Sequence, residues 1–181
     1  MRYFILTLLV TMLGLKPSYA GNYYLGIASV KTEFSDLGYT LDDNGYLFTL
    51  GRSFDVNPTI GAAIEFNYAN LLDTKVSGDG ASASLSADTM DLSAVVSAKG
   101  FGKLQPFARA GFSRGEAKLS QTGDLVLDLD DTDRDDTTFF YGLGLDLETS
   151  DSAAIRLEFV DGADYKGLEL EQVRLGVIAR F

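Results

Sequence analysis

The feature that most constrains this chain is an alternation of apolar and polar residues through nearly all of residues 21–181. Between positions 60 and 68, apolar side chains fall at every even position, whereas the odd positions hold glycine, alanine, glutamate and asparagine. Side chains of a β-strand point alternately to opposite faces, so this period of two predicts strands with two different faces. We expect eight antiparallel strands, near 22–31, 45–54, 60–68, 90–99, 105–114, 139–146, 155–159 and 172–181.

A soluble β-sandwich shows the same alternation, so other features must decide how the sheet is closed. The polar face is rich in glycine and in charges of both signs, as the crowded interior of a membrane barrel requires. The connections alternate in length, and the long ones lie at 33–44, 70–86, 116–136 and 161–167. Long outer loops and short periplasmic turns are typical of outer-membrane barrels, and an even strand number places both termini in the periplasm. We therefore predict an all-β, eight-stranded antiparallel up-and-down transmembrane β-barrel.

The N-terminus predicts export. Arg2 supplies a positive charge, residues 4–15 are apolar, and Ser18 and Ala20 are the small residues that a signal peptidase reads. Twelve apolar residues span only about 18 Å as a helix, which is too short for a membrane anchor. We predict a signal peptide over residues 1–20, cleavage after Ala20, and one barrel domain over residues 21–181.

The composition excludes several functions. A net charge of −11 argues against a nucleic-acid partner. The sequence has no cysteine, so it can form neither disulfides nor a thiol-linked lipid anchor. It also has no histidine, so general-base activation of a serine or a water molecule would need a carboxylate alone. We therefore expect a non-enzymatic protein without catalytic residues or a cofactor.

Nine charged residues on the polar face are the candidate functional residues of the interior. They are Glu65, Asp91, Lys99, Arg109, Asp146, Arg156, Glu158, Arg174 and Arg180. An unpaired charge inside a narrow barrel is costly, and the two signs nearly balance, so we expect ion pairs that fill the interior. The alternative is a narrow conducting path, or a gate in which one pair exchanges partners. The sequence leaves open which acid meets which base.

The segment 116–136 is the most acidic of the predicted outer loops, with eight acidic residues against two basic ones. Asp131, Asp133 and Asp135 have the spacing that opens a calcium-binding loop, but the required glycine and the closing glutamate are missing. We favour a solvated, repelling loop over one that shares divalent ions with lipopolysaccharide. Apolar residues at 125–127 and 129 indicate a hairpin that extends beyond the membrane, and such an edge can pair with a partner.

The C-terminal strand carries the clearest resemblance to a known family. Apolar residues alternate along one face up to the last position of the chain: Val173, Leu175, Val177, Ala179 and Phe181. This pattern resembles the C-terminal signal of outer-membrane barrels, which the barrel-assembly machinery reads in that family. The segments PFARAG at 106–111 and YGLGL at 141–145 resemble the small eight-stranded barrels typified by the transmembrane domain of outer-membrane protein A.

The resemblance implies residence in the outer membrane of a Gram-negative bacterium, among outer-membrane lipid and lipopolysaccharide. It also implies an interior carboxylate–arginine pairing of the type that Glu65 and Arg109 would form. We further expect a monomer. Two functions agree with these features: a structural barrel whose acidic outer loops contact another surface, and a small pore for ions or small solutes.

Overall fold

The computed structural model describes residues 23–36, 39–78, 81–122, 134–165 and 168–181, and these residues form one closed antiparallel β-barrel. The strands are β1 (Tyr23–Asp36), β2 (Tyr39–Asn57), β3 (Ile60–Gly78), β4 (Ala81–Ala98), β5 (Leu104–Thr122), β6 (Arg134–Ser150), β7 (Ala153–Tyr165) and β8 (Leu168–Arg180). The predicted eight-stranded up-and-down barrel is confirmed. The predicted signal peptide lies outside the described residues. Among the described residues, no helix is long and apolar enough to cross a membrane.

Each strand pairs with its neighbours in chain order, and β1 pairs with β8 to close the sheet. The closing register runs from Tyr24 opposite Arg180 to Ser35 opposite Glu169. In hydrocarbon an unpaired backbone N–H or C=O costs several kcal/mol, so a sheet in a membrane must have no open edge. The β1–β8 pairing meets this requirement.

The alternation along each strand separates the two faces of the barrel as predicted. In β8, Leu175 is 56% exposed on the outer surface, whereas Arg174 beside it is 3% exposed and points into the interior. The other apolar residues of the C-terminal pattern also lie outside, including Phe181 at 47% exposure. The outer surface is therefore the apolar one.

The two ends of the barrel differ. Short connections at 58–59, 99–103 and 151–152 lie at the end where β1 begins and β8 ends, which we call the turn end. At the other end, which we call the loop end, the prediction of long loops at 33–44, 70–86 and 161–167 is wrong. The strands themselves continue through most of these residues and leave only two between paired strands in each hairpin. Backbone pairing does not require the alternation to continue, so polar segments outside hydrocarbon still form strands.

Three strands project farther than their neighbours at the loop end. The β2–β3 pairing ends at Tyr46 opposite Asn70, but β3 and β4 stay paired as far as Gly78 opposite Ala81. The β4–β5 pairing likewise reaches Thr122. Residues 72–78, 81–87 and 118–122 therefore form a three-stranded extension, which we call the projecting sheet. Its β3 edge is not paired with β2.

Candidate functional site: the interior charge network

Glu65 lies at the centre of the barrel interior. It is an inward-facing residue of β3 and is fully buried. Tyr24 donates a hydrogen bond to Oε1 of Glu65, and Arg109 donates one from Nη2 to Oε2. Arg156 reaches the same carboxylate from β7, with 2.6 Å between its Nη1 and Oε1 of Glu65. One carboxylate from β3 thus ties together β1, β5 and β7.

Arg156 connects this centre to Asp146. Its guanidinium makes a two-point contact with that carboxylate, with 2.7 Å from Nε to Oδ1 and 2.8 Å from Nη2 to Oδ2. The planar group also lies over the ring of Phe107, 4.5 Å from the ring centroid, and 5.9 Å from that of Tyr24. A guanidinium that forms fork-shaped bonds and stacks on rings holds one orientation, so Arg156 is fixed on several sides.

On the other side of Glu65, the network continues through Arg109 to Glu158, with 2.7 Å between Nε of Arg109 and Oε1 of Glu158. Arg174 lies 3.7 Å from the second oxygen of Glu158 and donates to Asp91 across 3.2 Å. Ser113 also donates to Asp91, at 2.6 Å. The result is a chain of alternating charges: Asp146, Arg156, Glu65, Arg109, Glu158, Arg174 and Asp91.

Two apolar clusters lie inside the barrel beside the charges. The loop-side cluster consists of Val30, Leu47, Ala69, Leu71, Phe140 and Val160. The turn-side cluster consists of Tyr24, Ala63, Val95, Phe107, Ala154 and Ile178. Every one of these side chains is less than a tenth exposed. Apolar packing and paired ions together occupy the middle of the described barrel, and the cavity beside Arg109, Arg156 and Arg174 has a volume of about 10 Å³.

Two glycines make room for the rings that contact the network. A Cβ at Gly51 would lie 2.1 Å from the Tyr24 ring, and one at Gly144 would lie 2.3 Å from the Phe107 ring. Both distances are shorter than any real contact, so a side chain there would displace the ring. At both positions, glycine is required because the neighbouring ring occupies the space of a side chain.

The turn end is open and holds separate ion pairs. A cavity of about 250 Å³ opens there, bordered by residues of the turn-side cluster and by exposed charges. Lys99 pairs with Asp55, and Arg180 lies 3.2 Å from Glu148. Lys99 and Arg180 were expected in the interior network, but they lie at its mouth because Lys99 follows the end of β4 and Arg180 is the last residue of β8.

The profile of the outer membrane protein beta-barrel domain matches residues 4–181, which is nearly the whole sequence. The chain belongs to this family. No curated protein sequence matches it significantly. Membership places the protein in the outer membrane, as the alternating pattern and the C-terminal strand predict.

Solved structures of the same architecture support the fold. Ail, the attachment invasion locus protein of Yersinia pestis, was solved in complex with the heparin analogue sucrose octasulfate. It is 18% identical, with a TM-score of 0.67 over 90% of this chain and 99% of Ail. Neisserial surface protein A is 12% identical, with a TM-score of 0.59 and the same coverage. The N-terminal β-barrel domain of Pseudomonas aeruginosa OprF is 13% identical, with a TM-score of 0.55 over 89% of this chain and 99% of that domain.

Several residues of the interior network were not predicted from the sequence. Tyr24 and Gln172 both fall on the inward face, and Gln172 accepts a hydrogen bond from Arg174 at 2.9 Å. Their positions in the alternation of β1 and β8 could have identified them. They were not predicted because only charged residues were considered as candidates. Glu148 was missed because β6 was expected to end at 146, whereas it continues to Ser150.

The weak candidate metal site consists of three acidic residues, Asp131, Asp133 and Asp135. Asp131 and Asp133 lie outside the described residues, and so does the side chain of Asp135. Within the described part of the chain, no group of three or more acidic residues is placed to hold a metal ion. The interior network offers bound guanidinium–carboxylate pairs, which neutralise charge and fix the strands.

Proposed function

We propose that this protein is a non-enzymatic, non-conducting barrel with a structural and surface-interaction role in the outer membrane. The observation that carries the proposal is the occupied middle of the barrel interior. The chain of charges from Asp146 to Asp91 crosses the barrel, and the loop-side cluster lies beside it. Ions that are already paired and buried have little tendency to admit water, since separating a pair leaves an uncompensated charge.

The surface role is supported by the projecting sheet. Its β3 edge, 72–78, has backbone groups that β2 does not pair. An unpaired strand edge in water can accept an extended segment of another chain through main-chain hydrogen bonds. The acidic segment 116–136 begins on the same extension, so the loop end offers both a strand edge and negative charge.

Orientation and assembly belong to the same proposal. We place the turn end and both mature termini in the periplasm, the loop end among lipopolysaccharide, and the monomer in the outer membrane. Residues 1–20 direct export, and the C-terminal residues Val173, Leu175, Val177, Ala179 and Phe181 are read by the barrel-assembly machinery. In support, the outward residues from Val173 to the end of the chain form an unbroken apolar row, and the N–H of Phe181 donates to the carbonyl of Tyr23 at 3.0 Å.

A small pore is the second candidate. The turn-end cavity of about 250 Å³ reaches Arg156, and Glu65 is shared by two arginines, so an exchange of partners could open a path. Planar-bilayer conductance of the refolded protein separates the two functions. We expect no steps above background over repeated insertions. Large open events in the unaltered protein would overturn the non-conducting proposal.

A charge-balanced variant provides the positive control for this measurement. Replacing Glu65 and Arg109 together by alanine removes one acid and one base, so the interior keeps its net charge but loses its centre. This variant should conduct where the unaltered protein does not. Its conductance would show that the assay detects a path through this barrel.

The surface role has its own test. Replacing residues 73–86 by a two-residue turn would remove the β3–β4 part of the projecting sheet, while the pairing of Asn70 with Asp88 remains. Cells that display this variant should bind lipopolysaccharide-coated or protein-coated surfaces less than cells with the full hairpin. A β7–β8 hairpin shortened only at its outer end, with residues 163–170 replaced by the same two-residue turn, is the control, because the pairing of Val160 with Gln172 remains. Equal binding by all three would contradict a role for the projecting sheet.

A further inference from the structure

Arg52 is a basic residue on the outer, apolar face of the barrel. It belongs to β2 and lies opposite Tyr23 of β1 and Ile64 of β3. Ile64 is 54% exposed, and Arg52 itself is exposed, so this part of the surface faces lipid. The position is near the turn end, since Tyr23 begins β1.

Two aromatic rings hold the side chain of Arg52. Its guanidinium carbon lies 5.3 Å from the centroid of the Tyr23 ring and 5.1 Å from that of the Phe54 ring. Both distances are within the range of cation–π attraction. Rings of this kind gather where a barrel crosses from hydrocarbon to the polar headgroups. The cation is therefore held at the level of the headgroups by rings on β1 and β2.

The part of the protein that the structure describes provides no anion for Arg52. Among the described residues, no carboxylate lies within ion-pair distance of Arg52, in contrast to Arg109, Arg156 and Arg174. Cation–π contacts leave the N–H groups at the edge of the guanidinium free to donate. An arginine on a lipid-facing surface is costly away from the interface, so a nearby anion would offset that cost. At the headgroup level, the abundant anion is a lipid phosphate.

We propose that Arg52, Tyr23 and Phe54 form a binding site for the phosphate of a glycerophospholipid. The guanidinium fork matches the geometry of two phosphate oxygens, and the rings pre-orient it while the acyl chains lie along the neighbouring apolar surface. The choice of a glycerophospholipid rests on the proposed orientation, which places the turn end in the inner leaflet of the outer membrane. A lipid A phosphate has the same chemistry but belongs to the other leaflet.

Native mass spectrometry of the refolded full chain in a nonionic detergent tests the site. The probes are dioleoylphosphatidylglycerol, dioleoylphosphatidylethanolamine, lipid A, and dioleoylglycerol, which lacks the phosphate. We expect one glycerophospholipid of either headgroup to be retained more tightly than dioleoylglycerol. Arg52→Gln should weaken that binding about tenfold, the effect of losing one charge-assisted contact. Arg52→Lys should fall between the two, because it keeps the charge but loses the fork.

Two further variants sharpen the result. Phe54→Leu keeps the cation and removes one ring, so it should weaken phosphate-lipid binding less than Arg52→Gln. Arg114→Gln alters an outward arginine near the loop end and should leave the binding unchanged. Equal retention of phosphate lipids by Arg52→Gln and the unaltered protein would overturn the site. Loss confined to lipid A would overturn the glycerophospholipid assignment, and neither result depends on whether the barrel conducts.

Discussion

The middle of the barrel interior and its turn end both contain basic–acidic pairs, but they differ in exposure. In the middle, the side chains of Arg109 and Glu65 are 1% and 0% exposed. At the turn end, those of Lys99 and Asp55 are 30% and 85% exposed. A buried ion depends on its protein partner, whereas an exposed ion can exchange that partner for water. The same residue types therefore hold the fold together in one region and contribute little in the other.

The largest expected effect comes from breaking the centre. Glu65→Gln keeps the size of the side chain but removes the charge that Arg109 and Arg156 share. Removing one partner of a buried ion pair costs about 3–5 kcal/mol, and we expect a loss of this size in the free energy of unfolding. Urea unfolding in phospholipid vesicles measures it. Glu148→Gln at the turn end is the matched control, with an expected loss of about 0–1 kcal/mol. Equal losses of unfolding free energy in the two variants would contradict the stronger dependence of the buried ions on their partners.

The next prediction contrasts the interior with the lipid face. Arg174 is stable inside because it has carboxylate partners, but an arginine at the adjacent Leu175 would meet hydrocarbon. Leu175→Arg should lower the free energy of unfolding by ~2–4 kcal/mol, as for a cation near the bilayer midplane. Ala179→Arg on the same face lies close to the strand end and should cost only ~0–1 kcal/mol. A negligible cost at Leu175 would contradict the assignment of the outer face to lipid.

A smaller effect concerns the space around the network. Gly51→Ala would push the Tyr24 ring away from Glu65, and overpacking of this kind costs about 1–3 kcal/mol. Gly61→Ala is the control at the turn end, where the nearest atoms are the Oγ of Ser97 and the Cε of Lys99. Those side-chain ends can move, so its cost should be smaller. Thermal unfolding of both variants in the same detergent checks the order, and the reverse order would be inconsistent with a tightly packed centre.

The smallest effect is expected at the mouth. Lys99→Ala removes the pair with Asp55, which is largely exposed, and should change the free energy of unfolding by only about 0.2–1 kcal/mol. The difference should shrink further as salt is added, because exposed charges are screened within a Debye length. Unfolding of both proteins at low and high salt measures it. A large, salt-independent loss would place Lys99 among the buried ions after all.

Much of this molecule could be predicted from particular residues. The alternation around Arg174 and Leu175 placed each on its correct face, because the period of a strand is set by backbone geometry alone. The same pattern predicted the interior position of Glu65 and Arg109. Strand ends were predicted poorly at the loop end, where β1 reaches Asp36 and β3 reaches Gly78. Backbone hydrogen bonds extend those hairpins, and such bonds do not require the apolar alternation from which the strands were predicted.

The order of residues alone predicts an eight-stranded barrel with an apolar outside, a charged inside and an apolar outward row that reaches Phe181. Which charges meet is known only from the folded barrel. Asp146 is ten residues from Arg156 in the chain, but Glu65 is 91 residues from the same guanidinium. Such pairs depend on the stagger of strands around the closed barrel, and on the room that Gly51 and Gly144 leave for two rings. The local alternation of residues carries no information about either.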